Sequence, residues 1–300
     1  MTIREILADI KSDRVKKVII DTDAYNEIDD QYAIGYSFLS DKIDILAIHA
    51  APFENEKSDN MEYGMEMSYK EIHKVLGLLD PNYDIPVFKG SRASIEKSGE
   101  IQDSEAARNL IKVVHESDEI VYVLALGAIT NVVSALKMDP SIKDNMCVIW
   151  LGGNWIEGDN LGEFNLVQDF TAGQMLLNSQ VPLLLCPAWC IVSELTVHWE
   201  DVCELMDQNP LCDYLVEITA KCRELAGAPH WWIRTIWDIA APAIMDDATC
   251  ADIEIIPAPV FTDARVYAFD STRHEMMYLK KINRDMVISK TWEHLKGARK

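Results

Sequence analysis

Short apolar runs rich in β-branched residues alternate with stretches of helical periodicity along most of the chain. Residues 15–20 read as a buried strand, 30–39 as a helix and 43–50 as the next strand. A long segment of Met, Glu and Lys, 58–79, has helical spacing and stops at Asp80-Pro81, where the residue before proline is pushed out of the helical region. Further along, 85–88, 120–126, 147–151 and 181–186 read as strands, and 104–116, 131–138 and 170–179 as helices. From there to about residue 250 the pattern is mostly helical, and 253–270 and 275–288 form a β-like tail. Short strands alternating with helices predict βαβ units, so the expected fold is α/β: a single domain over 1–300 with a mainly parallel, Rossmann-like central sheet flanked by helices. No internal repeat, low-complexity tract or Pro/Gly/Ser-rich linker interrupts it.

In such sheets ligands bind outside the carboxyl ends of the strands. Polar residues collect at those places here: 21–30 after the first strand, Thr130-Asn131 after 120–126, and 154–165 after 147–151. The first segment reads Asp21-Thr22-Asp23-Ala24-Tyr25-Asn26-Glu27-Ile28-Asp29-Asp30. Five carboxylates in ten residues at a strand-to-helix turn repel one another unless something compensates. The free N–H groups and dipole of the following helix account for Asp29 or Asp30 alone, but not for Asp21 and Asp23 as well. A metal or ligand site accounts for all of them. Oxygen-only donors, with no His or Cys among them, point to Ca²⁺ or Mg²⁺ rather than zinc. An EF-hand loop is excluded by spacing, since the sixth position is not Gly and the twelfth from Asp21 is Tyr32 rather than Glu. An Asp-x-Asp after a first strand also fits a haloacid-dehalogenase-type phosphatase; the lack of a downstream Lys and Asp-Asp pairing weighs against it.

Composition narrows the partners. The formal charge of −21 disfavours phosphate backbones and anionic membrane surfaces, so neither nucleic acid nor membrane is an expected partner. Residues 1–17 mix charges with isolated Ile and Leu and lack the apolar core of a signal peptide, and the longest apolar runs fall short of a membrane span. Seven cysteines, an odd number with no zinc-site spacing, read as reduced thiols in a cytoplasmic protein.

Taken in register, these segments resemble the inosine–uridine preferring nucleoside hydrolase family. Residues 21–30 look like its Asp-Thr-Asp-Pro-Gly-x-Asp-Asp motif, and Leu126-Gly127-Ala128-Ile129-Thr130-Asn131 is similar to its Leu-Gly-Pro-Leu-Thr-Asn segment. Gly152-Gly153-Asn154 followed by Glu163-Phe164-Asn165, with Asp169 beyond, resembles its Gly-Gly…Glu-Phe-Asn stretch. Residues 85–90 resemble a family strand, and Trp237-Asp238 its late His-Asp pair. The matches run in order from about residue 17 to about residue 245.

The resemblance implies Ca²⁺ held by Asp23, Asp30, the carbonyl of Thr130 and Asp238. It implies Asp23 as the catalytic base, taking a proton from a metal-activated water, and Asp29, Glu163, Asn165 and Asp238 on the ribose hydroxyls. Asn154 and Asn26 are further candidates for the substrate. The expected activity is Ca²⁺-dependent hydrolysis of the N-glycosidic bond of a nucleoside or related riboside, by a homodimer or homotetramer. The chemistry is coherent, because an oxocarbenium-like ribosyl state needs an activated water on one face and negative charge nearby.

Two departures bear on function. Five residues, 24–28, separate Asp23 from Asp29 where the family motif has three, which brings Asn26 and Glu27 near the metal or the ribose. Trp237 stands where the family often has a histidine that helps the base leave, and His230 is the histidine nearest to it in sequence. These changes define the rival reading, a metal-dependent ribose- or nucleoside-binding protein with little or no turnover. His49 reads as structural, and Phe53 or Asn55 stands near the position where the family places an asparagine on the ribose. Trp155, Phe164, Trp189, Trp231, Trp232 and Trp237 offer a stacking surface for a flat base, with one or two of them expected to touch it. Met61, Met65 and Met67 read as core or subunit interface.

Overall fold

The near-continuous apolar character of the inner strands is what a parallel sheet covered on both faces requires. In the computed structural model, which describes residues 1–158, 160–227 and 232–297, the strands are β1 (Lys16–Thr22), β2 (Ile43–Ala50), β3 (Val87–Lys89), β4 (Val121–Ala125), β5 (Met146–Leu151), β6 (Leu183–Cys186), β7 (Thr196–His198), β8 (Ile233–Thr235), β9 (Ala251–Pro257), β10 (Val260–Phe261), β11 (Tyr267–Ala268) and β12 (Glu275–Ile282). The helices are α1 (Ile3–Ile10), α2 (Asp29–Leu39), α3 (Met61–Leu79), α4 (Ile95–Ser98), α5 (Glu105–Glu116), α6 (Thr130–Met138), α7 (Phe164–Gln168), α8 (Phe170–Asn178), α9 (Trp199–Cys203), α10 (Pro210–Leu225), α11 (Ala240–Asp246) and α12 (Arg284–Lys296).

Eight strands form the main sheet in the order β3-β2-β1-β4-β5-β6-β12-β9, parallel except for the antiparallel pair β12–β9. Along β4, Tyr122 and Leu124 face one core while Val121, Val123 and Ala125 face the other; β5 divides its residues in the same way. This alternation on two buried faces is why each strand reads as an unbroken apolar run. The order reverses between β1 and β4, since the chain runs outward through β2 and β3 and then returns to start β4. Such a reversal opens a crevice at the carboxyl ends of the two central strands. Asp21 is paired with His49 of β2 on one side and Ala125 of β4 on the other, which fixes the level of the crevice floor.

Three segments differ from the sequence expectation. The N-terminal residues form α1, started by a capping box in which Thr2 and Glu5 satisfy each other's backbone N–H groups. The stretch read as helical contains the β7–β8 ribbon, whose three-residue strands are too short to show periodicity. The tail read as β-like through 288 turns helical after Ile282, because Asn283 accepts from the N–H of Met286 and starts α12. All seven cysteines are free thiols, as their odd number and spacing predict. Among the described residues no helix is long and apolar enough to cross a membrane.

Candidate active site at the carboxyl ends of β1 and β4

The acidic loop after β1 is built from its neighbours rather than from a Pro-Gly turn. The N–H of Asn26 donates to the carbonyl of Asp23 at 2.7 Å, closing the first turn. Behind it, Gln31 Nε2 donates to the carbonyl of Ala24 at 2.6 Å and to Glu71 Oε1 of α3 at 3.1 Å. On the outer side Asn55 Nδ2 donates to Asn26 Oδ1 and Lys57 Nζ to the Asn26 carbonyl, both at 2.7 Å. Glu27 forms an ion pair with Arg234 of β8. The β7–β8 ribbon thereby meets the loop, and two residues past β8 the N–H of Trp237 donates to Asp29 Oδ2 at 3.1 Å. Asp238 follows and completes the acidic wall.

These elements enclose a cavity of about 200 Å³. Its lining includes the carboxylates of Asp23, Asp29, Asp30, Glu163 and Asp238, the amides of Asn26 and Asn165, and the rings of Phe164, Trp189 and Trp237, with Leu126 among them. Ligand oxygens of Asp29, Asp30 and Asp238 lie within 4.8 Å of one another, and Asp23 feels the charges of Asp30 and Asp29. Burial is the first cause that drives every one of these carboxyls upward: Asp29 to about 8 and Asp30 to about 6, with Asp23 and Asp238 raised well above their ordinary value. Neighbouring carboxylates add to it for Asp29, Asp23 and Asp238, while Arg234 opposes it at Asp29 and the Thr22 hydroxyl at Asp30. Asp30 and Asp238 lie close enough for each to shift the other's proton affinity, an arrangement two carboxylates sustain only with a proton or a cation between them. Asp23 Oδ2 and Asp238 Oδ1 are buried without any partner. Orphaned oxygens in a hard-donor cluster fit a divalent cation of the Ca²⁺ or Mg²⁺ type.

The other expected residues divide. Glu163 lines the cavity but spends its carboxylate on the N–H groups of Gly153, Asn165 and Leu166, at 2.7–2.9 Å, while burial raises it to about 7. Asn165 donates its amide N–H groups to the carbonyls of Leu126 and Leu151, at 2.7 and 3.0 Å, leaving its amide oxygen over. Asn26 lines the cavity; Asn55 stands behind it as its hydrogen-bond partner. Asn154 does not line the cavity, because its side chain is held by the Asn160 carbonyl and the Trp189 N–H. Thr130 starts α6 and its hydroxyl donates to Asp169 at 2.7 Å, while its carbonyl is the atom expected on the metal; the residue of this segment that lines the cavity is Leu126, just past β4.

Asp21 is buried below the floor, where Asn131 Nδ2 donates to it and His49 lies at 3.8 Å. Burial lowers His49 to about 4, which keeps it neutral, in line with a structural role. Trp155 packs against the core, and Met61 and Met65 are buried in α3. His230 and Trp231 lie outside the described residues.

Three residues that shape the site carry little signal in the sequence. Gln31 and Arg234 act through distant partners and so are invisible in local spacing. Gly127 is different: a Cβ there would stand 2.9 Å from Asp23 Oδ1 and 3.1 Å from Ala51 Cβ. The glycine in the Leu-Gly pair is the clue to this close approach. Gly127→Ala is expected to push the Asp23 carboxylate aside and lower turnover of a riboside about 10²-fold, the scale of an ångström-level misplacement. Steady-state kinetics on the folded variant checks this; unchanged turnover would show that Asp23 has room to move.

The model of the inosine-uridine preferring nucleoside hydrolase family matches residues 18–294. No curated protein matches the sequence. Among solved structures, a plant nucleoside hydrolase is similar with a TM-score of 0.77 at 19% identity, covering 94% of this chain and 99% of its own. An inosine-guanosine nucleoside hydrolase gives 0.76 at 17% identity, covering 94% and 98%. A purine-preferring ribonucleoside hydrolase from Gardnerella vaginalis gives 0.75 at 20% identity, covering 94% and 99%. At these identities the structures speak for the fold.

Proposed function

The chain belongs to the inosine-uridine preferring nucleoside hydrolase family, and we propose that it hydrolyses the N-glycosidic bond of a nucleoside or related riboside with Ca²⁺ bound by Asp23, Asp30, Asp238 and the Thr130 carbonyl, Asp29 being part of the same carboxylate cluster. The observation that carries this reading is the set of buried carboxylates with orphaned oxygens in a cavity that aromatic rings also line. When bound, the cation offsets two of the cluster's negative charges and lowers the pKa of a water in contact with it. Asp23 takes the proton of the attacking water, its Oδ2 being free of other partners. Asp29, Asp238, Asn26 and the spare oxygen of Asn165 hold the sugar hydroxyls, since carboxylates and amides are natural partners of vicinal diols. Glu163 holds the turn into α7 and offers its remaining lone pairs to the sugar. Negative charge around the sugar stabilises the oxocarbenium-like state.

Asn165→Ala is expected to raise the KM for a riboside roughly tenfold, the worth of a lost hydrogen bond, while metal affinity holds. Metal loss in that variant would reassign Asn165 to the support of the Leu126 segment. The same reading carries a homodimer or homotetramer in the cytoplasm without nucleic-acid or membrane partners, in keeping with the formal charge of −21.

One observation favours the rival reading of ribose binding without turnover: Trp237 offers no acid to a departing base. p-Nitrophenyl riboside separates the two, because its leaving group needs no acid. Release of nitrophenol in Ca²⁺ is the expected result; a Ca²⁺-loaded protein that binds the riboside and releases nothing is the binding protein.

A further inference from the structure

Resting on the hydrolase reading, we propose that the site selects N-ribosides whose base bears a fixed positive charge on the glycosidic ring, such as N-ribosyl pyridiniums or N7-alkylated purine ribosides. Six carboxylates line the cavity: Asp23, Glu27, Asp29, Asp30, Glu163 and Asp238. No Lys, Arg or His is among the described residues lining it. Arg234 is spent on Glu27, and a divalent cation offsets only two of the remaining charges. A phosphorylated riboside is repelled by this field and a cationic one is drawn in.

The base side is aromatic. The Trp189 and Trp237 rings meet edge-on at 5.4 Å and 70°, and Phe164 also lines the cavity. Trp189 lines the cavity yet remains 57% exposed, which leaves indole surface open to a ligand. Indole faces attract cations through their quadrupole.

The leaving group agrees with the charge. Neutral purines depart as anions unless protonated, and here the residue preceding Asp238 is an indole, a donor without acid strength. In a pyridinium riboside the C1′–N bond breaks with its electron pair staying on nitrogen, which discharges the ring to a neutral pyridine. Water supplies the hydroxyl to C1′ and its proton passes to Asp23 and then to solvent, so no acid is required.

The test uses the Ca²⁺-loaded protein with nicotinamide riboside, inosine and p-nitrophenyl riboside as substrates, and carbon-linked benzamide riboside as the neutral isostere. Expected are a kcat/KM for nicotinamide riboside at least 100-fold above that for inosine, and a KM at least tenfold below the Ki of benzamide riboside. That KM should rise with ionic strength while the KM of p-nitrophenyl riboside does not. Inosine turned over as well as nicotinamide riboside, or benzamide riboside bound as tightly, overturns the proposal and leaves the hydrolase reading intact if nitrophenol is released. Silence on all three substrates overturns the hydrolase reading itself and the inference with it.

Discussion

Asp23→Asn is expected to reduce turnover of p-nitrophenyl riboside by roughly 10²–10⁴-fold, the range a positioned general base contributes. The substitution keeps the shape of the side chain and removes its charge and basicity. Asp23 is 2% exposed, its Oδ2 has no partner, and Gly127 lets its other oxygen lie against the β4 turn. Ca²⁺ affinity should fall in the same variant, because one of four carboxylates is lost from the cluster. Stability should move the opposite way in the metal-free protein, since a buried, unpaired carboxylate surrounded by like charges costs free energy. Turnover, Ca²⁺ calorimetry and a thermal melt in chelator together check the assignment. Full turnover would remove Asp23 from the chemistry, and a large loss of metal-free stability would make it a structural residue.

Chelation should change how stability depends on pH. Asp29 and Asp30 stand at about 8 and about 6, above an ordinary value of 3.8, so the folded metal-free chain holds protons that the unfolded chain has already released. Stability therefore falls as pH rises from about 4 through about 8. The loss grows as each of these carboxyls is forced to ionise inside the buried cluster. Ca²⁺ binds the ionised cluster and reverses the penalty. At 1,000 times its Kd the ion contributes about 4 kcal/mol, or a Tm rise of roughly 5–15 °C. That rise should be larger at pH 8 than at pH 5.5. Metal-free protein that gains stability over this interval, or a Ca²⁺ effect independent of pH, would mean that these carboxyls do not form the ion site.

Much of the fold was legible because its information is local. β2 lies where the apolar run places it, and α3 and α5 begin within a few residues of the expected starts, at Asn60 and Ser104 caps. The missing pieces depend on contacts distant in sequence. The β7–β8 ribbon exists because Leu195 and Ile236 are bridged by backbone, and neither three-residue strand shows a period of its own. The part of the acidic site in residues 21–30 was readable from charge density alone, since clustered carboxylates at a strand end demand compensation, whereas Asp238 and Glu163 were legible only through the family resemblance. Thr130 and Asn154 show the limit of carrying roles along a motif. Spacing places both near the crevice, but only the folded chain shows that Asp169 takes the Thr130 hydroxyl, leaving the carbonyl as the atom proposed for the metal, and that Asn160 and Trp189 take the Asn154 amide. The clamp on the enlarged loop by Gln31 and the pairing of Glu27 with Arg234 cross from one element to another, so only the folded chain reveals them.

The most direct test strips the protein with a chelator and titrates Ca²⁺ back, following p-nitrophenyl riboside hydrolysis and ion binding in the same samples. The expected result is a silent stripped protein that regains activity in proportion to the occupancy of one ion per chain. Hydrolysis that survives stripping, or full occupancy without nitrophenol release, would contradict a Ca²⁺-dependent riboside hydrolase.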